Sequence, residues 1–180
     1  MRKNKPRDPR GRHIRVYVDL LNCPAYRALS FTSKALFFDL RSKITATNNG
    51  NISATLSDLK HHGWNSSATL SKSLYELRAL GFIDVTVQGG LKQGKRRPSL
   101  YRFTDLEVFE QPKLGIQPLP DTRDYSRINS VSEAKFLLKT RCAELKELGK
   151  KRQQSNKKLT VLRLNHTNSD YERQSLNSDS

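Results

Sequence analysis

Apolar positions change their spacing several times between Val16 and Phe109, and each change marks an element. His13-Ile14-Arg15-Val16-Tyr17-Val18 alternates polar and apolar, which predicts a half-buried strand or an extended lead-in. Asn22-Cys23-Pro24 opens a short helical turn, with Pro24 suited to the first helical position and Tyr26 and Leu29 facing inward. Leu36, Phe37, Leu40 and Ile44 recur at helical spacing, so a helix capped by Ser30 or Thr32 is expected to run to about Thr45. Thr47 to Asn51 is a turn, because Asn-Gly tolerates positive φ, and Ile52-Ser53 is a candidate short strand for a later hairpin.

From Thr55 the pattern tightens. A short helix, Thr55 to His62, carries Leu56 and Leu59 inward and opens on Thr55 and Asp58, a capping box with Asp in place of Glu. Gly63-Trp64-Asn65 is the turn, and Trp64 is expected to plug the space between two helices. The second helix, Ser66 to Leu80, has the stripe Leu70, Leu74 and Leu77, with small Ser73 inside it and Leu80 at its margin. Gly81 ends it. The period then switches to two over Phe82 to Gln88, as a strand requires. A Gly-rich cationic stretch, Gly89 to Pro98, leads back through Leu100-Tyr101-Arg102-Phe103.

In this order the elements predict an α+β winged helix-turn-helix domain over residues 14–110, three helices plus a β-hairpin wing. Residues 1–13 read as a basic disordered arm and 111–129, with three prolines, as a linker. Ser130 and Glu133 form a capping box for a C-terminal helix over 130–152, with Ala134, Leu138, Cys142, Leu145 and Leu148 along one side. Residues 153–180 are basic, then Ser/Asn-rich, and are expected to be a disordered tail.

Charge changes the picture. Lys and Arg outnumber Asp and Glu 33 to 17, a net charge of +16, which calls for an anionic partner such as nucleic acid or an anionic membrane surface. No apolar run approaches the roughly 18 residues of a membrane span, so no membrane is expected. The basic N-terminus lacks a signal peptide's apolar segment, and Cys23 and Cys142 lie outside any CxxC arrangement. Reduced thiols in a cytoplasmic protein are the expectation.

With Leu70, Ser73, Leu74 and Leu77 turned inward, the opposite helix face presents Ala68, Ser71, Lys72 and Tyr75, with Ser66 and Ser67 at the helix start. Small, hydroxylated and cationic side chains suit entry into the major groove, and a helix N-terminus favours a phosphate. The same pattern also fits an ordinary amphipathic helix facing water. Lys92, Lys95, Arg96 and Arg97 crowd the hairpin tip, with Arg102 on the returning strand. Such cations repel one another unless phosphates neutralise them. The basic arm offers a further contact to the DNA backbone or minor groove.

Enzyme signatures are weak. His61-His62 has no partner at zinc-ligand spacing, Asp19, Asp39 and Asp58 are scattered, and Gly89-Gly90 with Gly94 does not make a phosphate loop. No catalytic residue, metal or cofactor is assigned.

Pro24-Ala25-Tyr26-Arg27-Ala28-Leu29-Ser30, Asn48-Asn49-Gly50-Asn51-Ile52, Leu77-Arg78-Ala79-Leu80-Gly81-Phe82-Ile83 and Ser99-Leu100-Tyr101-Arg102-Phe103-Thr104 together resemble winged-helix proteins of bacterial prophages, plasmids and integrated elements. The stretch is also similar to the amino-terminal domain of phage replication proteins of the O type. The resemblance covers about Val16 to Leu106 and implies a winged-helix fold that binds double-stranded DNA. It departs from the family at Trp64-Asn65, where a single apolar residue is usual. The reading is a non-catalytic DNA-binding protein, a transcriptional regulator of a mobile element or bacterial genome. Alternatives are a replication initiation or maintenance protein on origin DNA, and a winged-helix protein-interaction module. A homodimer through the C-terminal helix is a further expectation.

Overall fold

The first apolar alternation does not become a strand. In the computed structural model, which describes residues 11–92, 94–148, 150–151 and 154–155, residues 11–17 have no regular structure. Val18–Asn22 is a helix, α1, with Leu20 buried. No neighbouring strand offers a ladder to this lead-in, and side chains hold it instead. Arg12 Nη2 donates to the carbonyls of Ser42 and Ile44 at 2.8 and 2.7 Å, and Arg41 Nε donates to the Arg15 carbonyl at 3.4 Å. The rest of the basic arm, residues 1–10, lies outside the described residues, as do 156–180 of the expected tail.

Helix α2, Pro24–Ala28, starts as expected with Pro24 in its first turn, and the Cys23 sulfur accepts from the Tyr26 N–H. Helix α3, Phe31–Ser42, is capped by Ser30, whose hydroxyl accepts from Ser33 N at 3.3 Å. Leu36, Phe37 and Leu40 are fully buried, and Ile44 packs at the rim of the core. Asn49, buried within the following turn, works as a surrogate strand. Its Nδ2 donates to the Phe103 and Leu106 carbonyls and its Oδ1 accepts from Phe103 N at 2.8 Å.

Next come β1 (Ile52–Ser53), α4 (Leu56–Leu59), a 3-10 turn (Lys60–His62), α5 (Ser67–Ala79) and β2 (Ile83–Val87). Strands β3 (Gly90–Lys92) and β4 (Lys95–Arg97) follow, then β5 (Leu100–Phe103). The architecture is mixed α+β with a small antiparallel sheet in the order β1-β5-β2, and β3 and β4 pair separately. Ile52 and Ser53 pair with Tyr101 and Leu100, so the two-residue strand does join the returning arm of the hairpin. Phe37 centres the core, edge-on to Phe103 at 5.4 Å and to Phe82 and Tyr26 at 5.9 Å. Arg41 and Asp105, with side chains only 3% and 4% exposed, form a two-pronged pair that ties α3 to the end of β5.

The expected linker, residues 111–129, is instead packed. Val108 bridges to Leu119 and Gln111 to Ile116, with Val108 and Ile116 buried. Tyr125 stacks on Phe82 at 4.9 Å and 7°, and Ile128 is buried beside them. Apolar side chains spaced without a period, and prolines between them, concealed a covering layer that needs no ladder of its own. Gly81 shows how closely it lies: at φ +74° a Cβ there would fall 2.7 Å from Asp124 Cβ.

The chain divides into two units, Met1–Lys139 and Thr140–Ser180. In the first, residues 131–139 are helical (α6), and Ala134, Leu137 and Leu138 pack on that unit's own core. Leu138, one of the leucines of the helix expected to dimerise, is therefore spent within the chain, as is Ala134. Residues 140–148 of the second unit are helical too.

Candidate nucleic-acid interface

The backbone around α5 is determined by a few polar contacts. Thr55 Oγ1 accepts from Asp58 N at 3.2 Å, half of the expected capping box. The Asp58 carboxylate answers to the Thr55 backbone N–H, the other half, and also takes the Ser53 hydroxyl. That bond, ahead of one from Thr55 and the charge of Lys43, holds the Asp58 carboxyl below its usual range, although burial opposes it. After one α turn the chain tightens into Lys60–His62, and Gly63 at φ +90° reverses it.

Asp39 on α3 then holds the turn from two sides. Trp64 Nε1 donates to one oxygen at 2.7 Å, and His62 Nδ1 lies 3.2 Å from the other. Trp64 is buried, the plug the sequence suggested. Ser66 caps α5 by accepting from Thr69 N at 3.3 Å.

Leu70, Ser73 and Leu77 face the core as expected, and Leu80 is completely buried, not marginal. Two buried residues of α5, Ala79 and Glu76, were not among those expected in the stripe. Glu76, 8% exposed, directs a single oxygen, Oε2, at the start of α3. It accepts from Ser30 N at 3.1 Å, Ser30 Oγ at 2.6 Å and Ser33 Oγ at 2.7 Å. A carboxylate at a helix N-terminus also gains from the helix dipole. A signal did exist, since an acid three residues after Ser73 and next to Leu77 falls inside the apolar stripe.

With that face anchored, Ser66, Ser67, Ala68, Ser71 and Lys72 are exposed, and Tyr75 is half-buried. Ser67, Ala68, Ser71, Lys72 and Tyr75 lie on the side of α5 away from Leu70 and Leu77, with Ser66 as the N-cap before them.

The hairpin leaves the sheet through two irregularities. Register shifts between Val85 and Val87, and Thr86 at this bulge donates to the carbonyls of Gly50 and Leu100. A bulge bends and twists the strand that carries it. At the neck, a Cβ on Gly89 would sit 2.4 Å from Ser99 N, so only glycine lets the strands cross so closely. Gly89 N donates to Ser99 Oγ at 3.1 Å there.

Beyond the neck Gly90 pairs with Arg97, Leu91 with Arg96 and Lys92 with Lys95. Directly paired residues share a face, so Leu91 and Arg96 point one way while Lys95 and Arg97 point the other. Lys95, Arg96 and Arg97 are all exposed. They take part in no ion pair among the described residues. The Lys92 side chain lies outside what is described.

Arg102 is a correction. It was grouped with the wing cations, yet it is only 7% exposed and its Nη2 reaches Thr122 Oγ1 at 3.4 Å. Alternation does turn it away from Phe103, toward the outer sheet face. That face would meet solvent if residues 111–129 were a linker, but they cover it.

Arg78 and Tyr101, both half-buried, border these candidate site residues. Arg78 is half-buried in the last turn of α5. Burial pushes the Tyr101 phenol up, while the Arg78 guanidinium and a hydrogen bond with Ser99 pull it back. The spacing 71, 75, 78 along the exposed face carried this signal for Arg78.

Among the described residues, no group of three or more His, Cys, Asp or Glu side chains is placed to hold a metal ion. No described helix is long and apolar enough to cross a membrane. The chain matches no protein-family model, no curated protein and no solved structure.

Proposed function

We propose that this chain is a winged helix-turn-helix protein that binds double-stranded DNA without catalysis, and that it regulates transcription of a mobile element or bacterial genome from the cytoplasm. The observation that carries the reading is the cationic hairpin β3–β4, whose Lys95, Arg96 and Arg97 join no ion pair among the described residues, on the same domain as an exposed hydroxyl-and-lysine face of α5. The order α3-β1-α4-α5-β2-hairpin-β5, with β5 between β1 and β2, is the layout such a fold requires. In this reading α5 enters the major groove, where Ser71 and Lys72 meet base edges. Lys95, Arg96 and Arg97 neutralise phosphates, and the released counterions drive association.

The test is duplex binding measured by fluorescence anisotropy across a salt series. Changing Lys95, Arg96 and Arg97 together to Ala should weaken binding alike on all sequences. It should also lower the log–log salt slope by about 2.7, at roughly 0.9 per phosphate contact. Unchanged affinity rejects the wing's role. Lys72→Ala should instead alter which sequence is preferred. Selection of bound fragments from a genomic pool then separates a regulator, which enriches promoters, from a replication factor, which enriches origin-like repeats.

A further inference from the structure

We infer that Arg78 is a phosphate ligand that joins the major-groove helix to the wing, so that the DNA-binding surface is continuous and not two separate patches. The inference rests on the DNA-binding reading above and adds a residue that the wing and the exposed helix face do not include.

Three observations carry it. Arg78 extends the exposed side of α5 by one further step, three residues beyond Tyr75 and seven beyond Ser71, toward the hairpin neck. Its Nε is buried and makes no hydrogen bond, and no ion pair among the described residues involves it. Its charge reaches Tyr101, and Tyr101 shares a hydrogen bond with Ser99, the residue that receives Gly89 N at the neck. Arg78 thus lies where the helix end approaches the base of the wing.

A half-buried guanidinium with an unsatisfied donor costs free energy in the unbound protein. The last turn of a helix offsets part of that cost through the dipole, but a dipole supplies no acceptor. Arginine's planar fork suits a phosphate, whose oxygens accept two parallel N–H bonds. A backbone phosphate crossing from groove to wing would supply the counter-charge that no acid among the described residues supplies. It would also place a cation between Lys72 and the wing tip, where the strand must pass.

The test uses the full chain on one duplex, with anisotropy titrations from low to high salt. Arg78→Gln keeps the stem and removes the charge, and Arg78→Lys keeps the charge and removes the fork. The expected result is a salt slope lowered by about 0.9 for Arg78→Gln. Arg78→Lys should keep the wild-type slope with several-fold weaker binding, and both should keep the wild-type circular dichroism. An Arg78→Gln protein with wild-type slope overturns the inference, whether its affinity is unchanged or reduced, since a reduced affinity then means that Arg78 only positions the wing. If Arg78→Gln fails to fold, an Arg78→Lys protein that binds as tightly as wild type overturns it equally. Wild-type protein with no salt-dependent duplex binding would remove the DNA-binding reading itself.

Discussion

Glu76 offers the sharpest test of how α5 is held. Its Oε2 receives three hydrogen bonds from the first turn of α3 and its cap, at 2.6 to 3.1 Å. Replacing it with Ala strands those donors, but unequally. Ser30 Oγ and Ser33 Oγ lie 2.9 Å apart and Thr32 Oγ1 is 3.1 Å from Ser30, so the hydroxyls find new partners. Ser30 N does not. One unreplaced bond to a charged acceptor is worth about 1.5–3 kcal/mol, and the lost anion at the helix start about 0.3–1 kcal/mol. Glu76→Ala should therefore cost about 3 kcal/mol, a large part of the roughly 5–15 kcal/mol that holds a domain.

Glu76→Gln retains an amide oxygen where the carboxylate accepted and loses only the charge, so about 1 kcal/mol is expected. The chain has one Trp, Trp64, buried in the turn before α5, and its fluorescence reports unfolding without a label. With a urea slope of about 2 kcal/mol per molar, the midpoint should fall by about 1.5 M for Ala and about 0.5 M for Gln. A midpoint for Glu76→Ala within 0.3 M of wild type, or a larger loss for Gln than for Ala, would refute the reasoning.

Two further substitutions probe the covering layer. Gly81→Ala combines left-handed backbone at φ +74° with a 2.7 Å approach to Asp124 Cβ, whereas Gly63→Ala, at φ +90°, meets nothing within 4 Å. The second should cost only the backbone penalty of about 1–2 kcal/mol and the first clearly more, and equal urea midpoints would show that the layer yields freely. Tyr125, pushed up to about 12 by burial and then by the Asp105 charge, should contribute stability that is fully present below pH 10 and lost as pH rises toward 12. Tyr125→Phe keeps the stack on Phe82 and should lessen the fall in urea midpoint between pH 9 and 11, and an identical fall would remove Tyr125 from the account.

Periodicity exposed most of the frame because burial at one face leaves a regular trace. The stripes of α3 and α5, the period-two run of β2, the Ser30 and Ser66 caps and the pairing of Ile52-Ser53 were all legible for that reason. What escaped has no period to leave. Tyr125 and Ile128 bury themselves singly from a 3-10 turn and its exit, and Ile116 through an isolated bridge. Alternation before Val18 fitted a strand or an extended lead-in; a strand needs a ladder, and the contacts of residues 12 and 15 go instead to α3 and its exit. Arg102 was misplaced for a tertiary reason. Its face was read correctly, while the segment that covers that face was not. The wing residues Lys95, Arg96 and Arg97 were legible because nothing folds over a hairpin tip.

The distribution of the chain's charge supports the proposed role more than its total does. Acids are the scarcer species, 17 against 33 cations, and within the folded unit many are committed to local pairs. Asp105 neutralises Arg41, Asp58 faces Lys43, Asp121 pairs with Arg123 and Asp124 with Arg127. Arg12 is satisfied by helix-end carbonyls without any acid. The frame neutralises or satisfies these cations where they fall; Arg27, Lys60, Lys72, Arg78 and Arg102 join no ion pair among the described residues either, but the hairpin tip crowds three such cations onto one strand. A solubilising surface would gain nothing from crowding three unpaired cations onto one exposed β-strand, since their repulsion weakens the hairpin. Crowding becomes useful when an anion with regularly spaced charges lies along it. The same argument ranks the alternatives, because a protein-docking surface needs an apolar centre, and the tip offers only Leu91 between its cations.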